Sequence, residues 1–125
     1  MEKSGNKILI VDDEHLVRWS VRRYLESEGF QAIEASSGQE ALEILDSGDI
    51  SVLITDLMMP EMDGVELINR ALETKPDLDV LVITAIEGSE FVDSAQRAGA
   101  IGVFPKPIHF NNLLNTIQGL GKGNV

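Results

Sequence analysis

An α/β fold built on one open parallel sheet is the class this sequence predicts, and three observations carry it. Short apolar runs alternate with longer amphipathic ones through five rounds, the pattern of a (βα)5 chain. Runs 7–11, 51–55 and 79–84 are apolar enough to be buried on both faces, as inner strands of a parallel sheet are. Glycine, proline and serine punctuate the boundaries at short spacing. With 125 residues and 43% apolar content the chain fits one domain with one sizeable core.

The strands are read in order as KILIV (7–11), QAIEA (31–35), SVLIT (51–55), DVLVIT (79–84) and IGVF (101–104). QAIEA alternates more than the others, which assigns it to an edge. Between the first two strands, Val17, Val21, Tyr24 and Leu25 share one face of a helix ending near Gly29. Ser36 or Ser37 caps a second helix carrying Ala41, Leu42 and Leu45, with Gly48 at its end. A third runs from Gly64 to Thr74 through Val65, Leu67, Ile68 and Leu72, stopped by Pro76. Ser89 caps a fourth through Phe91, Val92 and Ala95, with Gly99 beyond it, and Phe110, Leu113, Leu114 and Ile117 mark the fifth. The close, GLGKGNV, reads as a frayed tail or the start of a linker, so the domain is assigned to 1–120 and the tail to 121–125.

Charge and composition exclude several functions. Ten Lys plus Arg stand against 21 Asp plus Glu, and a net charge of −11 disfavours non-specific binding of nucleic acid or an anionic membrane. Cations and basic partner surfaces suit it better. The absence of cysteine removes disulfides, thiolate chemistry and Cys-ligated zinc, and is compatible with a cytoplasmic protein. The start, MEKSGNK, lacks the apolar segment of a signal peptide, and no stretch approaches the roughly 20 apolar residues of a membrane span.

In an open parallel α/β sheet, ligands sit at the carboxyl ends of the strands. The residues there are Asp12, Asp13 and Glu14 after the first strand, Asp56 after the third, Thr84 and Ala85 at the fourth, and Lys106 and Pro107 after the fifth. Each has a plain structural reading when taken alone. Asp13 is a candidate N-cap with Glu14 complementing the helix dipole, Asp56 an Asx turn before Pro60, Thr84 a strand former and Lys106 a surface lysine. Lys75-Pro76 illustrates that reading: it lies at the opposite end of the sheet and has no assigned role. Together, however, the plain readings need five independent coincidences at one rim, whereas a hard-cation site needs several oxygens converging there. Crowded carboxylates repel, so at least one proton affinity should rise, and Mg²⁺ would relieve the repulsion. One carboxylate can then attack a phosphorus while the lysine and a hydroxyl stabilise the transferred oxygens, which is aspartyl phosphorylation.

The combination ILIVDDE, DLMMPEMDG, VITA and FPKP, in that order over nearly the whole chain, resembles the receiver domain of two-component response regulators. The resemblance implies a doubly wound, flavodoxin-like five-stranded sheet of order 2-1-3-4-5. It implies that Asp56 accepts a phosphoryl group from a histidine of a sensor kinase. Asp12, Asp13, Asp56 and the Met58 carbonyl would hold Mg²⁺, with Asp12 acting largely through a coordinated water. Lys106 would pair with the phosphoryl group, its bond to Pro107 would be cis, and the Thr84 hydroxyl would follow the new phosphate. Pro60 and Gly64 would shape the loop, Gly64 by permitting unusual backbone angles, and small Ala85 would leave room for the phosphoryl group. The implied protein is a signalling switch rather than an enzyme on other substrates, catalysing only its own phosphorylation and dephosphorylation. Its partners would be the kinase and an output domain or downstream protein, with homodimerisation on phosphorylation compatible and no direct nucleic-acid or membrane contact.

The sequence departs from that pattern at Val103, where many receivers carry a Tyr or Phe that swings inward; Phe104 points to the other sheet face and reads as core. Ile108 stands where a Phe commonly follows the Lys-Pro pair. His15 reads as a solvent-facing helix residue, His109 as a loop or first-turn residue, and Trp19 as exposed. Met58 and Ile86, two positions after Asp56 and Thr84, cannot position an attacking water, which implies a long-lived phosphoryl group. A haloacid-dehalogenase-type phosphohydrolase is the alternative enzyme reading, but the adjacent Asp pair, Asp56 after the third strand and the lack of a cap domain oppose it. A dinucleotide module lacks its GxGxxG, and a pseudo-receiver would not need the full set of site residues. EHLVRWSVRRYLESEGF resembles regulators of enhancer-dependent transcription in the nitrogen-regulation class, which implies a larger parent protein; a stand-alone relay fits the same residues.

Overall fold

The computed structural model describes residues 7–86 and 88–120. The domain start at 1–6 and the expected tail at 121–125 lie outside the described residues. The elements alternate without exception: β1 (Lys7–Val11), α1 (His15–Ser27), β2 (Gln31–Ala35), α2 (Gly38–Ser47), β3 (Ile50–Asp56), α3 (Gly64–Thr74), β4 (Asp79–Thr84), α4 (Glu90–Ala98), β5 (Gly102–Pro105) and α5 (Phe110–Leu120). They form one five-stranded sheet of order β2-β1-β3-β4-β5, with parallel pairing throughout. QAIEA is indeed an edge strand, and the short β5 is the other edge.

Side chains alternate across the inner strands and so build two cores. Leu9, Val11, Leu53, Val80 and Val82 face α2, α3 and α4, meeting Leu45, Leu67, Ile68, Ala71, Val92 and Ala95. Ile8, Ile10, Val52, Ile54, Leu81 and Ile83 face α1 and α5, meeting Val21, Leu25, Leu113 and Ile117. Burial of each such side chain contributes about 2 kcal/mol, so the central strands are the most strongly held part of the domain. Val103 packs toward the first core and Phe104 toward the second, which agrees with the core reading of Phe104.

The caps expected at Ser37 and Ser89 are found, and α3 is capped by Asp63, which the sequence reading did not single out. Ser37, Asp63 and Ser89 each accept a backbone N–H from the first turn of α2, α3 and α4. The N-cap of α1 is Glu14, whose side chain makes no capping bond, so the plain reading of Asp13 as a cap does not hold. Asp12 Oδ1 instead accepts the Glu14 N–H at 2.9 Å, a local turn that orders the entry to α1.

The role expected for Gly64 also needs correction. Its backbone is not left-handed; among the described residues the non-glycine residue with positive φ is Glu61, at 71°. A Cβ on Gly64 would run into the Asp56 carbonyl oxygen and stand 2.8 Å from Leu57 Cα. Glycine is there because the start of α3 lies directly against the exit of β3. The Gly64 N–H donates to the Leu57 carbonyl at 2.9 Å and closes that loop.

Candidate functional site

Strand register assembles the site. Val11 on β1 pairs with Thr55 on β3, so Asp12 and Asp56 leave the sheet side by side. Asp56 itself pairs with Ile83, one residue before Thr84, and Thr84 pairs with Pro105, one residue before Lys106. Four adjacent strands thereby deliver their exits to one rim.

Asp12 is fully buried and Asp56 is 5% exposed. Asp56 Oδ1 accepts the Leu57 N–H at 2.8 Å, with Met58 N at a longer 3.5 Å, while Oδ2 accepts from Lys106 Nζ at 3.1 Å. Lys106 Nζ also stands 2.9 Å from Asp12 Oδ2 and 3.1 Å from Glu14 Oε1. The Asp12 contact is an ion pair whose angles do not make a hydrogen bond, so buried Oδ2 retains unused acceptor capacity. The Lys106-Pro107 peptide is cis, as expected.

Burial is the largest influence on Asp12 and pushes its carboxyl above the usual range. The Glu14 N–H and Lys106 oppose the rise, and repulsion from Asp56 adds to it. A raised proton affinity was expected from crowding; desolvation turns out to lead. Burial alone would lower the Lys106 pKa, but its close ion pair with Asp12 and its attraction and hydrogen bond to Asp56 win, and the ammonium is held charged.

Thr84 is buried, and its hydroxyl accepts the Ile86 N–H at 3.1 Å, while its carbonyl accepts the Lys106 N–H at 2.9 Å. Asp13, Glu14, Asp56, Met58, Ala85 and Lys106 line one open pocket above the strand ends. Met58 is an exposed member of that rim, with 54% of its surface accessible.

Two participants carry no site role in the sequence reading. Glu14 reaches Lys106 across 92 positions, which a local window cannot show. Thr55 is wholly buried, and its hydroxyl donates to the Asp56 carbonyl at 2.8 Å; the one signal was a polar residue inside an apolar run.

Asp12, Asp13 and Asp56 can each offer one carboxylate oxygen with all three inside 4.8 Å, a donor set that fits a hard divalent cation. The partly unsatisfied Asp12 Oδ2 supports the same fit. The expected acidic residues, Met58 and Lys106 are therefore brought together. Thr84 is buried and does not line the pocket, and its hydroxyl accepts the Ile86 amide.

A family model for the response regulator receiver domain matches residues 8–118. The chain is 34% identical over 112 residues to the response regulator receiver protein CpdR of Brucella abortus, covering 90% of this chain and 93% of that one. It is 38% identical over 114 residues to the response regulator MprA of Mycobacterium ulcerans, covering 91% of this chain and 49% of the relative. A similar match at 34% identity covers 89% of this chain but only 12% of the sensor kinase CckA of Brucella abortus. The chain thus spans half or less of the length of several relatives. The solved structure of the chemotaxis protein CheY4 of Vibrio cholerae overlays with a TM-score of 0.85 at 30% identity, covering 90% of this chain and 96% of the other. Among the described residues no helix is long and apolar enough to cross a membrane. Register, acidic pocket and family match agree, and the chain belongs to the response regulator receiver domains, the phosphorylation-activated switches of two-component systems.

Proposed function

We propose that Asp56 is the phosphoacceptor of this receiver. The observation that carries it is the pairing of a nearly buried carboxylate at the exit of the central strand with Lys106 Nζ 3.1 Å away and two more acidic groups within 4.8 Å. With Oδ1 taken up by the Leu57 N–H, Oδ2 faces the pocket and is the attacking atom. It forms a bond to the phosphorus of a phosphohistidine on a sensor kinase, or of a small acyl phosphate. The donor's P–N or P–O bond breaks, and its electron pair leaves with the donor.

Asp12, Asp13, Asp56 and the Met58 carbonyl are the residues that would hold Mg²⁺, with Asp12 acting largely through a coordinated water. When bound, the ion supplies charge neutralisation for the incoming phosphoryl oxygens. Lys106 stabilises the same oxygens from the opposite side, already oriented by its ion pairs. Ala85, with no side chain beyond Cβ, leaves the approach open. Thr84 can exchange the Ile86 N–H for a phosphoryl oxygen and so transmit the change to the loop before α4. The protein acts on no other substrate; it catalyses its own phosphorylation and dephosphorylation in the cytoplasm and passes the signal to an output domain or downstream protein, with homodimerisation as one form of output.

The test is incubation with acetyl phosphate and Mg²⁺, read by intact mass. Wild type gains one phosphoryl group and Asp56→Asn gains none. Label on Asp12 or Asp13, or unchanged labelling of Asp56→Asn, overturns the assignment. Continuous turnover of phosphate esters would instead favour a hydrolase.

A further inference from the structure

We infer that Arg18, locked by Glu34, is a positioning residue that holds the acidic β1–α1 loop in its cation-binding shape. The inference rests on the Mg²⁺ reading above and concerns a residue outside the pocket lining.

Three contacts define the clamp. Arg18 Nη1 donates to the Asp12 carbonyl at 2.7 Å, and Arg18 Nε donates to Glu34 Oε1 at 3.0 Å. Glu34 sits on β2, where its second oxygen accepts from Arg22 Nε at 2.6 Å. Burial tends to raise the Glu34 pKa, but the hydrogen bonds from Arg22 and Arg18 prevail and hold its carboxyl below the usual range, so it stays ionised. Both sides of the Asp12 backbone are then tied toward β2, because its N–H also donates to the Ala35 carbonyl at 3.3 Å.

The loop needs such a tether. Asp13 is exposed, and no side-chain bond is described that keeps it beside two other carboxylates. Repulsion favours swinging it into water. A peptide between Asp12 and Asp13 whose carbonyl is pinned by a forked, partly buried guanidinium cannot rotate freely, so Asp13 stays within reach of the ion. Arginine suits this task because one planar group donates in two fixed directions, which an ammonium cannot do.

The sign of the effect separates positioning from charge. As a nearby cation, Arg18 repels Mg²⁺, so by charge alone its loss would tighten binding. As a clamp, its loss weakens binding, on the order of 10-fold for a residue that orients metal ligands. The experiment is an NMR titration of the intact domain with Mg²⁺, following the amides of Asp12, Asp13 and Met58. Arg18→Ala and Arg18→Lys should both bind more weakly than wild type. Arg22→Ala, which removes the 2.6 Å contact to Glu34 but none to Asp12, should lose stability in urea and weaken Mg²⁺ binding less than Arg18→Ala does; a loss of Mg²⁺ binding as large as that of Arg18→Ala would count against a direct grip on the Asp12 carbonyl. Should Arg18→Ala fail to fold, Arg18→Lys, which keeps charge and bulk, decides the matter. Unchanged or tighter Mg²⁺ binding in a folded Arg18 variant overturns the clamp. A wild type with no saturable response overturns the metal assignment itself.

Discussion

Adding one methyl group at Gly64 should disable the site without touching any group that reacts. The Cβ of Gly64→Ala would overlap the Asp56 carbonyl oxygen and lie 2.8 Å from Leu57 Cα and 3.0 Å from Leu57 Cδ2. The first two are backbone atoms of a buried strand exit and cannot swing away. Overpacking of a rigid site costs about 1–3 kcal/mol, and backbone obstruction puts this case near the upper end. At about 2.1 cal/mol/K per residue of unfolding entropy, 3 kcal/mol lowers Tm by roughly 11 °C in a domain of this size. Relief of the overlap must move Leu57, whose N–H holds Asp56 Oδ1 at 2.8 Å, so the acceptor carboxylate turns with it. A misplacement of about 1 Å at a reacting group can cost on the order of 100-fold in rate. Thermal melts and acetyl phosphate labelling measure both effects. Gly119→Ala is the control: nothing lies within 4 Å of its Cβ on α5, and it should stabilise by up to about 1 kcal/mol. A Gly64→Ala protein that melts with wild type, or melts early but labels at the wild-type rate, refutes the reasoning.

Met58→Asn or Met58→Glu should speed dephosphorylation, because an exposed rim position beside Asp56 gains a group that can orient water; an unchanged phosphoryl lifetime counts against it. Thr84→Ala should leave phosphorylation nearly intact yet uncouple the response of residues 85–98 to beryllofluoride and Mg²⁺ in NMR spectra. Val103 is too short and stiff to carry the signal, and Gly88, at φ 59° with open space around it, lets the loop move. Full wild-type shifts in that variant would end this account. Glu34 has a folded-state pKa below its ordinary 4.5, so its ion pairs stabilise the fold above that pH and are lost as pH falls through the lower value. Glu34→Gln should therefore lose stability at neutral pH and show a flatter loss under acid, measured by urea midpoints against pH.

Periodicity was enough to place the elements, because a helix or strand shows which face it buries within a window of a few residues. Val17, Val21 and Leu25 revealed α1, alternation in QAIEA revealed an edge, and carboxylates at strand exits revealed the rim. What lay beyond reach was the partner of each group. That Lys106 and Asp56 share a rim was legible from the strand exits, but the reach of Lys106 to Glu14 across 92 positions was not, because only the parallel register decides which side chains become neighbours. The same limit hid why Gly64 is glycine: the sequence suggested backbone freedom, while the packed chain uses its missing side chain to bring α3 against Asp56 and leaves the left-handed turn to Glu61. The hold of Glu34 on Arg18, sixteen positions away on β2, likewise exists only once the sheet has formed. Local burial preferences act along the chain and are written in it; contact geometry depends on which distant backbones come to lie a few ångströms apart.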